Sequence, residues 1–146
     1  MATEVEISAR IWLPAPAEQV WQAVTDWPRQ REWVLATRVQ GGHGVGASVR
    51  ARTGIGPVGF TDPMVITEWQ PPRRCVLQHT GRVVRGSGVF EVSPAGDGSE
   101  FRWTERLSLP LGTAGHWGWR AAVRPLAQRG LDASLRRFAR TQMPAG

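Results

Sequence analysis

Two residues in this 146-residue chain combine the chemistry and the placement needed to act on a bound molecule: Glu105 and His79. From Glu100 to Leu109 the sequence alternates, with Phe101, Trp103, Leu107 and Leu109 on one face and Arg102, Thr104, Arg106 and Ser108 on the other. The apolar face is the one a sheet buries, and Glu105 lies on it. A carboxylate there must be ion-paired, hydrogen-bonded or protonated. From Arg74 to Thr80, Cys75, Leu77 and His79 share a face, so an inward Cys75 and Leu77 bring His79 inward too. A carboxylate and an imidazole on an apolar wall can serve as a general acid/base pair, or orient a ligand hydroxyl or carbonyl. They can also be structural, with Glu105 bridged to an Arg and His79 satisfied in the interior.

Other chemistries find little support. His43, His79 and His116 are dispersed with no i, i+4 pair, so no metal site is expected. Cys75 is the only cysteine, which excludes an internal disulfide and a thiolate cluster and reads as a small interior residue. No GxSxG is present. The glycine-rich Gly41–Gly46 lacks a Walker Lys and a following helix, so it reads as a turn. Asp62, beside Pro63, reads as a turn or bulge residue. No cofactor is expected.

The elements that must position Glu105 and His79 are mostly strands. Glu4–Leu13 alternates, with Val5, Ile7, Ala9, Ile11 and Leu13 on one face, and Pro14 and Pro16 end it. A short helix is expected over Ala17–Thr25, with Val20, Trp21 and Val24 on one face. A second runs from an Asp26 cap and Pro28 to Trp33. Further strands are expected over 45–53, 60–70, 74–80, 85–92 and 100–109, with a hairpin turn at Ser93–Gly98. Pro63 marks an edge or a bulge, and Pro110–Gly115 reads as a loop. The last element is a helix over 117–141, with an apolar stripe of Trp119, Val123, Leu126, Ala127, Leu131, Leu135 and Phe138. Pro125 should kink or restart this helix. Gly130 leaves either a close contact or open space beside it. Strands followed by one amphipathic helix predict an α+β domain whose sheet covers the helix, a single unit over 1–146.

Composition narrows the partners. The net charge is +6, and all the basic residues are Arg; Lys, Asn and Tyr are absent. Those three residues have AT-rich codons, so a GC-rich, bacterial-type genome would account for the bias without selection for a basic surface, which discounts a polyanion partner. The Arg residues are also scattered, so no nucleic-acid partner is expected. No apolar run is long enough to span a membrane, and no signal peptide is visible, which makes the cytoplasm the expected compartment. Eight Trp suggest a roomy aromatic interior.

Three stretches carry a resemblance to a known family: "PAPAEQVWQAVTDWPRQREW", "ITEWQPPRRCVLQ" and "GSGVFEVSPAGDGSEFRWTERLSL". With the order strand, two small helices, antiparallel meander, long helix, the chain resembles the SRPBCC or START-like superfamily, in particular its small bacterial members described as polyketide cyclases or dehydrases. The resemblance implies a helix-grip fold, with six to seven curved antiparallel strands around the last helix and a cavity between them. Leu77, Phe101, Trp103, Leu107 and Gly130 would then line the cavity, and Trp33, Trp69, Trp117 and Trp119 could line it or its mouth, where His116 also falls. The superfamily shares no catalytic motif, so function rests on the site. The first expectation is a carrier or sensor of an apolar or aromatic small molecule, as monomer or homodimer. A cyclase or dehydratase using Glu105 or His79 is the alternative, which leaves open whether the protein is an enzyme. A third reading places the basic helix face on a membrane or RNA.

Overall fold

The computed structural model describes residues 3–109 and 112–143. Seven strands form one antiparallel sheet: β1 (Thr3–Leu13), β2 (Thr37–Gly41), β3 (Ser48–Ile55), β4 (Val58–Gln70), β5 (Arg74–His79), β6 (Gly86–Ala95) and β7 (Gly98–Leu109). Their order is β1-β7-β6-β5-β4-β3-β2, a meander to which the first strand returns beside the last. Between β1 and β2 lie helix α1 (Ala17–Val24) and a 3₁₀ helix, Trp27–Glu32. After β7 come α2 (Gly112–Gly118), a π-helical turn (Trp119–Val123) and α3 (Arg124–Gln142), the long helix that the sheet grips. The α+β helix-grip architecture expected from the pattern is the one observed. No described helix is long and apolar enough to cross a membrane.

The alternation in β1 holds. Ile7, Ala9 and Leu13 are buried and pair across β7 with Glu105, Trp103 and Ser99. α1 buries Val20, Trp21 and Val24. With Leu13, Phe101, Leu135 and Phe138 these close one end of the domain into a packed core. The other end, between the far strands and the first half of α3, stays open.

Several local expectations are corrected. β2 was not anticipated: it is a five-residue edge strand in which only Thr37 and Val39 are buried. The second short helix is 3₁₀, capped by Trp33 with a hydrogen bond from its N–H to the Gln30 carbonyl of 3.0 Å. Gly112–Gly115 is helical, while Pro110 and Leu111 lie outside the described residues. The turn before β7 is only two residues long, and Ser93 and Pro94 remain in strand β6. Pro63 is in an inner strand. β5 ends opposite Met64, so the missing N–H of Pro63 breaks no ladder bond, and its carbonyl accepts the Thr80 N–H at 2.9 Å. The bulge falls instead between Ile66 and Glu68. Pro125 restarts the long helix, and the π turn before it absorbs the mismatch. This rotates the stripe: Val123 and Leu126, expected to be inward, are 50% and 68% exposed.

Candidate functional site

The open end holds a cavity of about 460 Å³, in the range of small-molecule sites. Val39, Val49, Leu77, Phe90, Trp103 and Leu131 give it apolar walls. Gly130 also faces it. A Cβ built on Gly130 would meet nothing within 4 Å, so the glycine leaves space and not a tight contact.

One patch of the wall is ionic. Asp62 on β4, His79 on β5 and Glu105 on β7 reach it from three strands. Their side chains are 11%, 5% and 17% exposed, low enough that each needs a partner. His79 supplies it for both acids. Its Nδ1–H lies 3.0 Å and 2.9 Å from the two Asp62 oxygens, and its Nε2–H donates to Glu105 Oε2 at 3.1 Å. Trp103 Nε1–H donates to the other Glu105 oxygen at 2.9 Å. Both ring nitrogens face carboxylates, so a neutral ring would aim a lone pair at one of them. Burial lowers the His79 pKa, but the bonds and charges of Asp62 and Glu105 outweigh it and raise the value from 6.5 to about 9. At neutral pH the ring is an imidazolium between two acids. It has no free lone pair, whereas the carboxylate oxygens of Glu105 and Asp62 keep acceptor capacity towards the cavity.

The backbone makes room for this patch. Gly88 pairs with both Leu77 and Glu105 across the sheet, and a Cβ there would come within 2.9 Å of Glu105 Oε1. Only a glycine lets the carboxylate lie flat over β6.

The structure brings some of the expected residues together and separates others. Glu105, His79, Leu77, Trp103, Leu107 and Gly130 all face the cavity. Trp33 does not: it is fully buried behind the wall, packed edge-on against Phe101 and Phe138 at 5.9 and 5.0 Å. Phe101 is in that same core cluster. Trp69, beyond the bulge, packs on Trp21 and stacks with His43, at 5.1 and 5.2 Å. Trp119 is buried in the π turn, off the cavity lining. Trp117 is 63% exposed on α2, with the Arg120 guanidinium 5.7 Å from its ring. Of His116 only the backbone is described, as part of α2. His43 is exposed as expected, yet its Nε2 lies 2.8 Å from the Thr25 carbonyl and ties the glycine-rich turn to the end of α1.

Sequence reasoning missed Asp62 and Trp27. Asp62 is neither a turn nor a bulge residue. It shares a face with Phe60, Met64 and Ile66, all turned inward, by the same period of two that turns Glu105 inward. Trp27 lines the cavity floor while its Nε1–H donates to the Gly42 carbonyl at 2.7 Å. No periodicity could show this, because a 3₁₀ turn and not a strand presents it.

The described residues hold no group of three His, Cys, Asp or Glu arranged to bind a metal. The ionic patch offers two carboxylates and a charged imidazole, which suits a ligand that donates a hydrogen bond better than one that is itself an anion.

Comparison with known proteins agrees with this architecture. The protein is similar in structure to the Zhui aromatase/cyclase from a Streptomyces species, with TM-score 0.74, 16% identity, and 94% of this chain and 92% of that one covered. A protein from Thermus thermophilus is similar at TM-score 0.73 and 20% identity, covering 93% and 95% of the two chains. The two-domain aromatase/cyclase StfQ of the steffimycin biosynthetic pathway matches at TM-score 0.73 and 14% identity, over 95% of this chain and half of that one. At these identities the likeness establishes the fold. No curated protein matches by sequence. The family described as "Polyketide cyclase / dehydrase and lipid transport" matches residues 4–142. The chain, over nearly its whole length, belongs to the polyketide cyclase/dehydrase and lipid-transport family.

Proposed function

We propose that the protein binds one apolar, aromatic-sized small molecule in the cavity and orients it by a hydroxyl donated to Glu105 or Asp62. The observation that carries this is the make-up of the lining: apolar side chains over most of the wall, a few neutral polar ones (Gln30, Thr37, Thr53 and Ser134), and one ionic patch whose acids keep acceptor capacity. Burying three charged groups is costly in the absence of a use, since apolar residues of similar volume often replace such clusters without loss. Membership of a family described by cyclase, dehydrase and lipid-transport activities supports the reading.

The test uses a neutral, environment-sensitive apolar dye and a competing phenol. Wild type should bind the dye at micromolar affinity, and the phenol should displace it. Glu105→Gln keeps the shape but halves the acceptor set, so it should weaken the phenol more than the dye. Equal weakening of both would count against an orienting role.

A second reading is favoured by the same patch. Ring closure or dehydration needs a base beside a carbonyl, in a cavity that folds the substrate. Glu105 would remove the proton. His79, fully engaged as a donor, would hold that carboxylate in place and offset charge as it changes. Loss of turnover in Glu105→Gln with dye binding retained would support it, and unchanged turnover would remove it.

A further inference from the structure

Among the described residues, several of the large apolar side chains left in solvent lie at or beside the cavity lining, while Trp12 and Val45 lie elsewhere. Leu35 lines the cavity and is itself 45% exposed, which puts the opening beside it. Ile55 and Val58, 82% and 76% exposed, flank the two-residue turn between β3 and β4, next to the lining residues Thr53 and Phe60. Val83, 68% exposed, precedes the lining residue Val84. Leu126, 68% exposed, precedes the lining residue Ala127 on α3. These side chains come from four separate segments of the chain.

The charges in those segments have one sign. Residues 33–38, 53–60, 80–88 and 117–131 contain Arg38, Arg82, Arg85, Arg120, Arg124 and Arg129, and no Asp or Glu. All six Arg are exposed. Elsewhere on the surface some cations pair with acids, as in Arg29–Glu32, Arg74–Glu91 and Arg106–Glu6, and others, such as Arg50 and Arg52, do not. An acid does adjoin the first segment, where Glu32 shares a surface groove with Arg38, Gly54 and Gly56; within the other segments the charge is Arg alone.

We propose that the rim docks on an anionic lipid bilayer, with the β3–β4 turn, the 80–85 loop and Leu126 entering the interface and the Arg side chains meeting lipid head groups. Separate exposed apolar side chains among cations suit a fluid interface. A folded protein partner would instead call for a continuous complementary patch. The geometry also gives an apolar ligand a path between bilayer and cavity that avoids water.

The experiment is co-sedimentation of the full chain with phosphatidylcholine vesicles made with and without phosphatidylglycerol, at low and high salt. Wild type should bind the anionic vesicles, lose most of that binding at high salt, and bind neutral vesicles weakly. The double variant Ile55→Ser/Val58→Ser lies in solvent and should fold normally. It should bind roughly tenfold more weakly. Arg82→Gln/Arg124→Gln should cost roughly tenfold or more and flatten the salt dependence. Absence of wild-type binding at low salt would overturn the proposal, and would leave an acidic protein as the partner that suits the rim. Binding that depends on the Arg pair but not on Ile55 and Val58 would also overturn it, as mere electrostatic adsorption. Docking does not rest on the cavity ligand: a protein that binds the dye but not the vesicles loses this inference alone.

Discussion

The charge state of His79 gives the account its most quantitative consequence. In the folded protein its pKa is about 9, against 6.5 for a free imidazole. The folded state therefore holds a proton that the unfolded chain has released between those values, and stability falls as pH rises through the window. The slope should be about 1.4 kcal/mol per pH unit, for a total on the order of 3 kcal/mol. The stabilisation is fully present below pH 6.5 and gone once pH passes about 9. The chain has no Lys and no Tyr to titrate in this range. Burial pushes the Cys75 thiol up from 9.0 to about 12, so it adds its own loss of stability above about pH 9, and the effect of His79 is read as the difference between wild type and a His79 variant. Urea denaturation of wild type and His79→Gln from pH 6 to pH 9.5 reads the effect. Across the window wild type should lose on the order of 3 kcal/mol more than the variant, which should change only near the top of the range, where Cys75 contributes. At pH 6 the variant should be less stable by about 3–5 kcal/mol, because two carboxylates lose their shared cation. Should that variant fail to fold, Asp62→Asn removes one of the two acids that raise His79 and should lessen the slope. A wild-type curve that is flat or rises from pH 6.5 to 9, or one parallel to that of His79→Gln, would refute the imidazolium between two acids.

Four further outcomes follow from the packing. Gly130→Ala should stabilise the protein by up to about 1 kcal/mol in thermal denaturation, since the helix gains propensity and the new methyl meets nothing. Gly130→Phe should remain folded while dye binding falls at least about tenfold, because the ring enters the cavity. Gly88→Ala should displace the Glu105 carboxylate, which a Cβ would approach to 2.9 Å; it should lower the His79 pKa, read by NMR titration of the imidazole, more than it lowers stability. Trp33→Ala should cost about 3–5 kcal/mol in chemical denaturation and leave the ligand preference unchanged, because Trp33 is core behind the wall.

The strands were readable where one face is buried and the other is wet. In β1, β5 and β7 the pairing runs without a bulge, so the inward turn of Glu105 and His79 could be inferred from their apolar neighbours alone, although Thr104 on the opposite face is buried as well. Asp62 obeys the same period, yet Pro63 suggested a break that the structure avoids by ending β5 one residue earlier. The Trp residues were harder. Bulk and burial identify a large interior side chain, but they do not distinguish the packed end of the grip, where Trp33 sits, from the open end, where Trp27 and Trp103 sit. That distinction depends on where α1 and the 3₁₀ helix close over the sheet, a long-range contact with no local sequence signal. The stripe of the last helix failed for a local reason. A π turn ahead of Pro125 adds a residue to the repeat, so Val123 and Leu126 rotate out while Leu135 and Phe138 stay in.

The most direct test of the cavity and its ionic patch is calorimetric titration with 2-naphthol and 2-naphthoate, which share an apolar body and differ in polar group. Wild type should bind the naphthol more tightly than the anion, and Gly130→Phe should bind neither. Equal affinity for the two, or binding that survives in Gly130→Phe, would contradict the account.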